Sequence, residues 1–166
     1  MKKSIVITAV LALSAFAFQA SFGQATANQN LTLAVNAIYK IATSGNPGAL
    51  TISTGTAGTD ALTSVSDAST TYSMTQNFGN TVKITANLDA VLSAGYMLQI
   101  NLASAKGTSA GTVDISNATS GSALTVVSNI NKGADAGKAI TYTFSANASA
   151  GTLSSTAKVV TLTLTN

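Results

Sequence analysis

Cysteine, histidine, arginine, glutamate and tryptophan are all absent from this chain, and proline occurs once, at Pro47. Each absence removes a class of chemistry. Without His or Cys there is no Ser-His-Asp or Cys-His nucleophile. Zinc sites built on imidazole or thiolate are excluded on the same ground. Without Cys there is also no disulfide and no lipid anchor of the bacterial lipoprotein kind. With no Arg and only dispersed Lys, the basic footprint of a nucleic-acid binder is missing. A serine activated by a lysine stays chemically open. Each Lys, however, sits among polar strand or loop residues, where solvation is the simpler fate.

The acidic side chains are the five aspartates Asp60, Asp67, Asp89, Asp114 and Asp135. Paired carboxylates hydrolyse glycosides when they flank a common bond. Asp60 and Asp67 share one loop rich in Gly, Thr and Ser, and the others are scattered. Asp135 with nearby Asn131 is too small a set for calcium, which needs several converging oxygens. Tyr39, Tyr72, Tyr96 and Tyr142 all fall in apolar registers, which makes them candidates for the core rather than for sugar platforms. The expectation is a non-enzymatic chain with no catalytic residues, no cofactor and no metal. An enzyme would need at least two of the five aspartates to converge in a pocket.

What is present begins with a leader. Lys2 and Lys3 precede a run from Ile5 to Phe18 that is apolar except at Thr8 and Ser14. A basic start followed by a short apolar run is the pattern of a secretory signal peptide. A membrane-spanning helix needs roughly 20 apolar residues, and this run ends sooner. Ser21-Phe22-Gly23 offers small residues for cleavage after Gly23; Ala15-Phe16-Ala17 and Ala25-Thr26-Ala27 obey the same rule. The expected organisation is residues 1–23 as signal peptide and 24–166 as one domain. Its expected place is secreted or at the cell surface, with the periplasm open and no membrane span after cleavage. Lys2 and Lys3 leave with the leader, so six Lys face five Asp in the remainder, a formal net charge of +1. A chain of that size can bury a core without disulfide staples.

Alternation of apolar and polar residues with period two dominates the remainder. Leu31, Leu33, Val35, Ala37, Tyr39 and Ile41 form the longest case. Gly45-Asn46-Pro47-Gly48 then reads as a turn. Leu50 with Ile52, and Tyr72 with Met74, predict short strands. Further strands are predicted at Val82–Leu88, Tyr96–Leu102, Val113–Ile115, Leu124–Ile130, Ile140–Ala146 and Val160–Leu164. Asp89 to Gly95 is the one candidate helical turn. Residues 54–71 and 106–122 read as exposed loops or edge strands. These are about eight to nine short strands with one polar face each, the signature of an all-β antiparallel β-sandwich or small barrel.

Thr71-Tyr72-Ser73-Met74, Lys83-Ile84-Thr85-Ala86 and Ile140-Thr141-Tyr142-Thr143-Phe144 give residues 31–166 a texture that resembles secreted bacterial Ig-like or fimbrial-type β-sandwich proteins. A Gln after the favoured cut is similar to secreted proteins of the Bacteroidota. The disulfide of many such pilins has no counterpart here. The resemblance implies an Ig-like or fimbrial-like sandwich with a structural, surface or adhesive role. Its partners would be copies of itself or cell-surface components. It also implies assembly by strand exchange, with Leu31, Leu33 and Val35 as the inserted residues. Against this stands the simpler pairing of Leu31 to Ile41 within its own sheet. A soluble glycan- or ligand-binding module is the alternative function, and it predicts an exposed aromatic or polar cleft. Three glycosylation-type triplets, at Asn30, Asn117 and Asn147, are expected by chance in a chain so rich in Asn, Ser and Thr. The Thr161-Leu162-Thr163-Leu164-Thr165 array is similar to ice-binding threonine ladders, and a half-buried amphipathic strand explains it more simply.

Overall fold

Val, Ile, Thr and Tyr favour extended backbone, and in the computed structural model most of the alternating stretches are strands. The structure describes Gly23 and residues 25–166; the expected leader, residues 1–23, lies outside them except for Gly23. The chain falls into two units, Met1–Ala34 and Val35–Asn166. In the first, residues 25–34 carry no regular secondary structure.

The second unit holds nine strands: β1 (Tyr39–Thr43), β2 (Val65–Gln76), β3 (Val82–Leu88), β4 (Tyr96–Leu102), β5 (Thr108–Ser109), β6 (Val113–Asp114), β7 (Leu124–Ile130), β8 (Gly133–Ala146) and β9 (Val160–Thr165). They form two antiparallel sheets, ordered β1-β2-β8-β4-β6 and β5-β7-β3-β9. The expected all-β antiparallel sandwich is the observed fold. Inward residues of both sheets make one core, among them Tyr72 and Met74 of β2, Ile84 and Leu88 of β3, Ile100 and Leu102 of β4, and Val126, Val127 and Ile130 of β7. Among the described residues no helix is long and apolar enough to cross a membrane.

Besides a shift in β7 between Val82↔Ile130 and Ile84↔Val127, three bulges adjust the alternation to this core. Between Ile84↔Val127 and Thr85↔Thr125, β7 carries one more residue than β3. That extra residue lets Val126 and Val127, adjacent in sequence, both lie buried. A second bulge puts Ala68 and Ser69 of β2 between the pairs Asp67↔Tyr142 and Thr70↔Ile140. The third lies in β8 between Lys138 and Asp135, where Gly137 takes a φ of +60°, a conformation that suits glycine. Gln76 ties the sheets together: its amide donates to the Ile130 carbonyl (3.2 Å) and its side-chain oxygen accepts from the Phe78 N–H (2.7 Å).

Several expectations need correction. Only Tyr39–Thr43 of the long alternating stretch is a strand; Leu31 to Ile38 is not. Ile38 still hydrogen-bonds Asn77 through both its N–H and its carbonyl, which ends the pairing with β2. Leu50 and Ile52 are partly buried but form no strand. Residues 65–71, expected as a loop or an edge strand, are the first part of β2; they pair with β8 alone, because β1 reaches only Tyr72–Gln76, so this part is an edge. The helical turns fall at Ser120–Ser122 and Ala148–Ala150 rather than at Asp89–Gly95, which is made of bends and a turn.

Candidate functional site

The five aspartates share one local pattern: each accepts hydrogen bonds from backbone N–H groups or hydroxyls, four of them from residues between the strands and Asp67 from within β2. Asp60 binds the N–H and hydroxyl of Ser149 (2.7 and 2.9 Å). Asp67 binds both groups of Ser69 inside the β2 bulge (3.0 and 2.7 Å). Asp89 holds the Val159 N–H (3.0 Å), and Asp114 holds the Ser116 N–H (2.9 Å) together with its hydroxyl. Asp135 is the buried one, 4% exposed. One of its oxygens takes the Ala105 N–H (2.9 Å), the Lys106 N–H (3.0 Å) and the Ser104 hydroxyl (3.0 Å), while Lys138 lies 3.8 Å from the other.

The contacts of Asp135, Asp67 and Asp89 tune those carboxyls. Burial alone pushes Asp135 up, but its three hydrogen bonds and the Lys138 charge outweigh it and hold the group below the usual carboxylate range. Ser69 holds Asp67 low through its hydroxyl and its N–H. The Val159 N–H does the same for Asp89. Among the described residues no three His, Cys, Asp or Glu side chains gather as metal ligands. What these carboxylates do chemically is fasten loops.

The tyrosines divide. Tyr72 and Tyr142 are buried in the core, while Tyr39 and Tyr96 are partly exposed. Tyr39 packs on Phe78 (ring centroids 5.4 Å apart), and Tyr96 stacks on Phe144 (6.3 Å, interplanar angle 16°). Beside Tyr96 runs an open groove of about 440 Å³, lined by Leu92, Leu153, Thr156, Lys158 and neighbouring serines. The Tyr96 hydroxyl donates to the Ala150 carbonyl (3.1 Å), so one end of this aromatic is already engaged.

Leu31, Leu33 and Val35 are 79%, 82% and 84% exposed, and no strand includes them. Burying such large aliphatic side chains against a partner would be favourable by roughly 1.5–3 kcal/mol each. Sequence reasoning missed the other half of the arrangement, the sheet edges. β1 and β9 end their respective sheets and lie beside one another on one flank of the sandwich. There Tyr39, Ile41, Val160, Leu162 and Leu164 pack on the core yet stay only partly buried. No family model, no curated protein and no solved structure matches this chain.

Proposed function

We propose that this chain is a non-enzymatic structural or adhesive subunit, exported through its leader to the cell surface or beyond, which associates with copies of itself. The observation that carries the reading is the exposed, unpaired alternation of Leu31, Leu33 and Val35. Exposed apolar side chains grouped together mark surfaces that meet a partner. If the segment pairs as an extended strand, positions two apart share a face, and these three side chains would then make one apolar stripe. The commitment of all five aspartates to nearby N–H and hydroxyl groups supports the non-catalytic half of the reading. An Ig-like or fimbrial-like sandwich is the finer fold assignment that goes with it.

The test is Leu33→Asp in the chain from Gln24 to Asn166. The variant is expected to keep the far-ultraviolet circular dichroism and melting temperature of the parent while losing its higher-mass species in light scattering. A variant that unfolds instead would make Leu33 a core residue and overturn the reading.

A second reading, an extracellular module for a glycan or another hydroxyl-bearing ligand, draws support from the groove beside Tyr96. Its serine and threonine hydroxyls and Lys158 are suited to hydrogen-bonding such a ligand, with Leu92 and Leu153 as apolar contacts. On that reading Leu33→Asp leaves ligand binding intact, and Lys158→Ala weakens it.

A further inference from the structure

The lysines are dispersed in sequence, and the strand registers gather them. The end of the sandwich where β7 turns into β8 is also where β2 turns into β3, where β1 begins and where β9 stops. Lys132 stands in the β7–β8 turn itself. Lys106 reaches this turn from the loop after β4. The Asn131 N–H donates to its carbonyl (3.0 Å), and a Cβ at Gly133 would lie 3.4 Å from Lys106 Cε and 3.5 Å from its Nζ. Lys138 of β8 lies 3.8 Å from Asp135. Two more lysines flank this trio. Lys40 shares a cross-strand row with Thr75 and Ala134, and Lys83 follows Val82, the partner of Ile130. Five of the six lysines among the described residues therefore lie at one end, and the one aspartate there, Asp135, is buried.

The other four aspartates lie toward the opposite end. Asp60 bonds Ser149 just beyond β8, and Asp89 bonds Val159 just before β9. Asp114 bonds Ser116, whose hydroxyl oxygen accepts the Leu98 N–H near the start of β4. Asp67, in the first part of β2, pairs with Tyr142. Lys158 is the one lysine with them, donating to the Val91 carbonyl (3.4 Å). A formal charge of +1 from residue 24 onward is thus split between an end of +4 (five Lys, one Asp) and an end of −3 (four Asp, one Lys). Like charges gathered at one end repel one another, and the field they sum to draws in ligands of the opposite sign.

We infer that the lysine end binds an acidic polysaccharide, a polymer with carboxylates on its sugar units. This goes beyond the subunit reading, and the surface is at the other end of the sandwich from the Tyr96 groove. Residue chemistry selects the class. A lysine ammonium is a compact point charge, whereas phosphate and nucleic-acid recognition leans on the forked arginine guanidinium, which this chain lacks. Lys40, Lys83, Lys106 and Lys132 are exposed, as are Asn80, Asn129 and Asn131 in and beside the same turns. Their amides can donate to and accept from sugar hydroxyls.

The test is retention of the folded chain from Gln24 to Asn166 on immobilised polygalacturonate, with neutral dextran as the comparison. Binding to polygalacturonate at about 50 mM salt, weakened by roughly tenfold or more at about 500 mM, and none to dextran, are the expected results. Lys106→Gln with Lys132→Gln should weaken binding by roughly three- to tenfold at an unchanged melting temperature. If that pair lowers the melting temperature, Lys132→Glu alone, in its exposed turn, carries the same expectation. Ala57→Asp with Thr152→Asp lowers the net charge equally but at the aspartate end, and should leave binding within about twofold. Equal weakening by the two pairs would make the attraction a matter of net charge and overturn the lysine end as the site. No retention on polygalacturonate, equal retention on dextran, or tighter binding of double-stranded DNA overturns the polysaccharide. Self-association is read separately by Leu33→Asp, so either proposal can fail alone.

Discussion

Asp135 shows how much a single side chain holds at the residue scale. It sits at the β8 bulge, buried, and gathers three donors from the 104–106 loop. Its folded pKa lies below that of the unfolded chain, so unfolding takes up a proton and acid favours unfolding. The stability it confers is full above the unfolded value, near 4, and disappears as the pH falls through the folded value. Asp67 and Asp89 are shifted in the same direction. Thermal melts between about pH 2 and 6 are therefore expected to show the melting temperature falling below about pH 4. Asp135→Asn should cost about 2–3 kcal/mol at neutral pH, because a neutral amide loses the charge that strengthens the three bonds and turns its NH2 toward Lys138. The same variant should flatten the acid dependence; a variant with the parent's stability and acid profile would contradict this role. In the core, Ile84→Ala should cost about 2–5 kcal/mol, read by urea unfolding.

At the scale of elements, a proline scan of β9 separates its two edges. The Asp89 N–H donates to the Val159 carbonyl (3.0 Å), so in this antiparallel pair Thr161, Thr163 and Thr165 bond β3 while Val160, Leu162 and Leu164 turn their backbone groups outward. Thr163→Pro removes a bond to β3 and should destabilise the domain by roughly 1–3 kcal/mol, whereas Val160→Pro removes none of those bonds. Equal losses for the two variants would mean the inferred hydrogen-bond phase is wrong. Gly107 gives a comparable steric test. A Cβ there would meet the Ser128 carbonyl oxygen at 2.6 Å and Ile130 Cγ1 at 2.6 Å. Gly107→Ala should accordingly destabilise the β5–β7 contact by about 1–3 kcal/mol in thermal melts.

Strands such as β3, β4 and β7 were legible because apolar residues at spacing two mark a strand with one face in a core. The first half of β2 was not, since Val65-Ser66-Asp67-Ala68-Ser69-Thr70-Thr71 has little apolar signal and a bulge interrupts its pattern. Leu31 to Ile38 misled in the opposite way. Alternation specifies a stripe, and pairing needs a neighbour that only the tertiary structure supplies. For the same reason the sequence pointed to Leu31, Leu33 and Val35 but not to β9, whose free edge depends on a non-local strand order.

For the whole molecule, low charge shapes the expected behaviour. From residue 24 onward six Lys nearly cancel five Asp, and both the Leu31–Val35 segment and β9 are uncharged. Association driven by apolar burial and main-chain bonds should change little between about 50 and 500 mM salt, whereas contacts between exposed charges would be screened. Sedimentation across that range checks it, and dissociation on adding salt would point to an ionic contact instead. The most direct test of the central claim is the mass distribution of the Gln24 to Asn166 chain, by light scattering after size exclusion with electron microscopy of the same fractions. A ladder of oligomers or filaments is the predicted result. A single monomeric species at every concentration would contradict it.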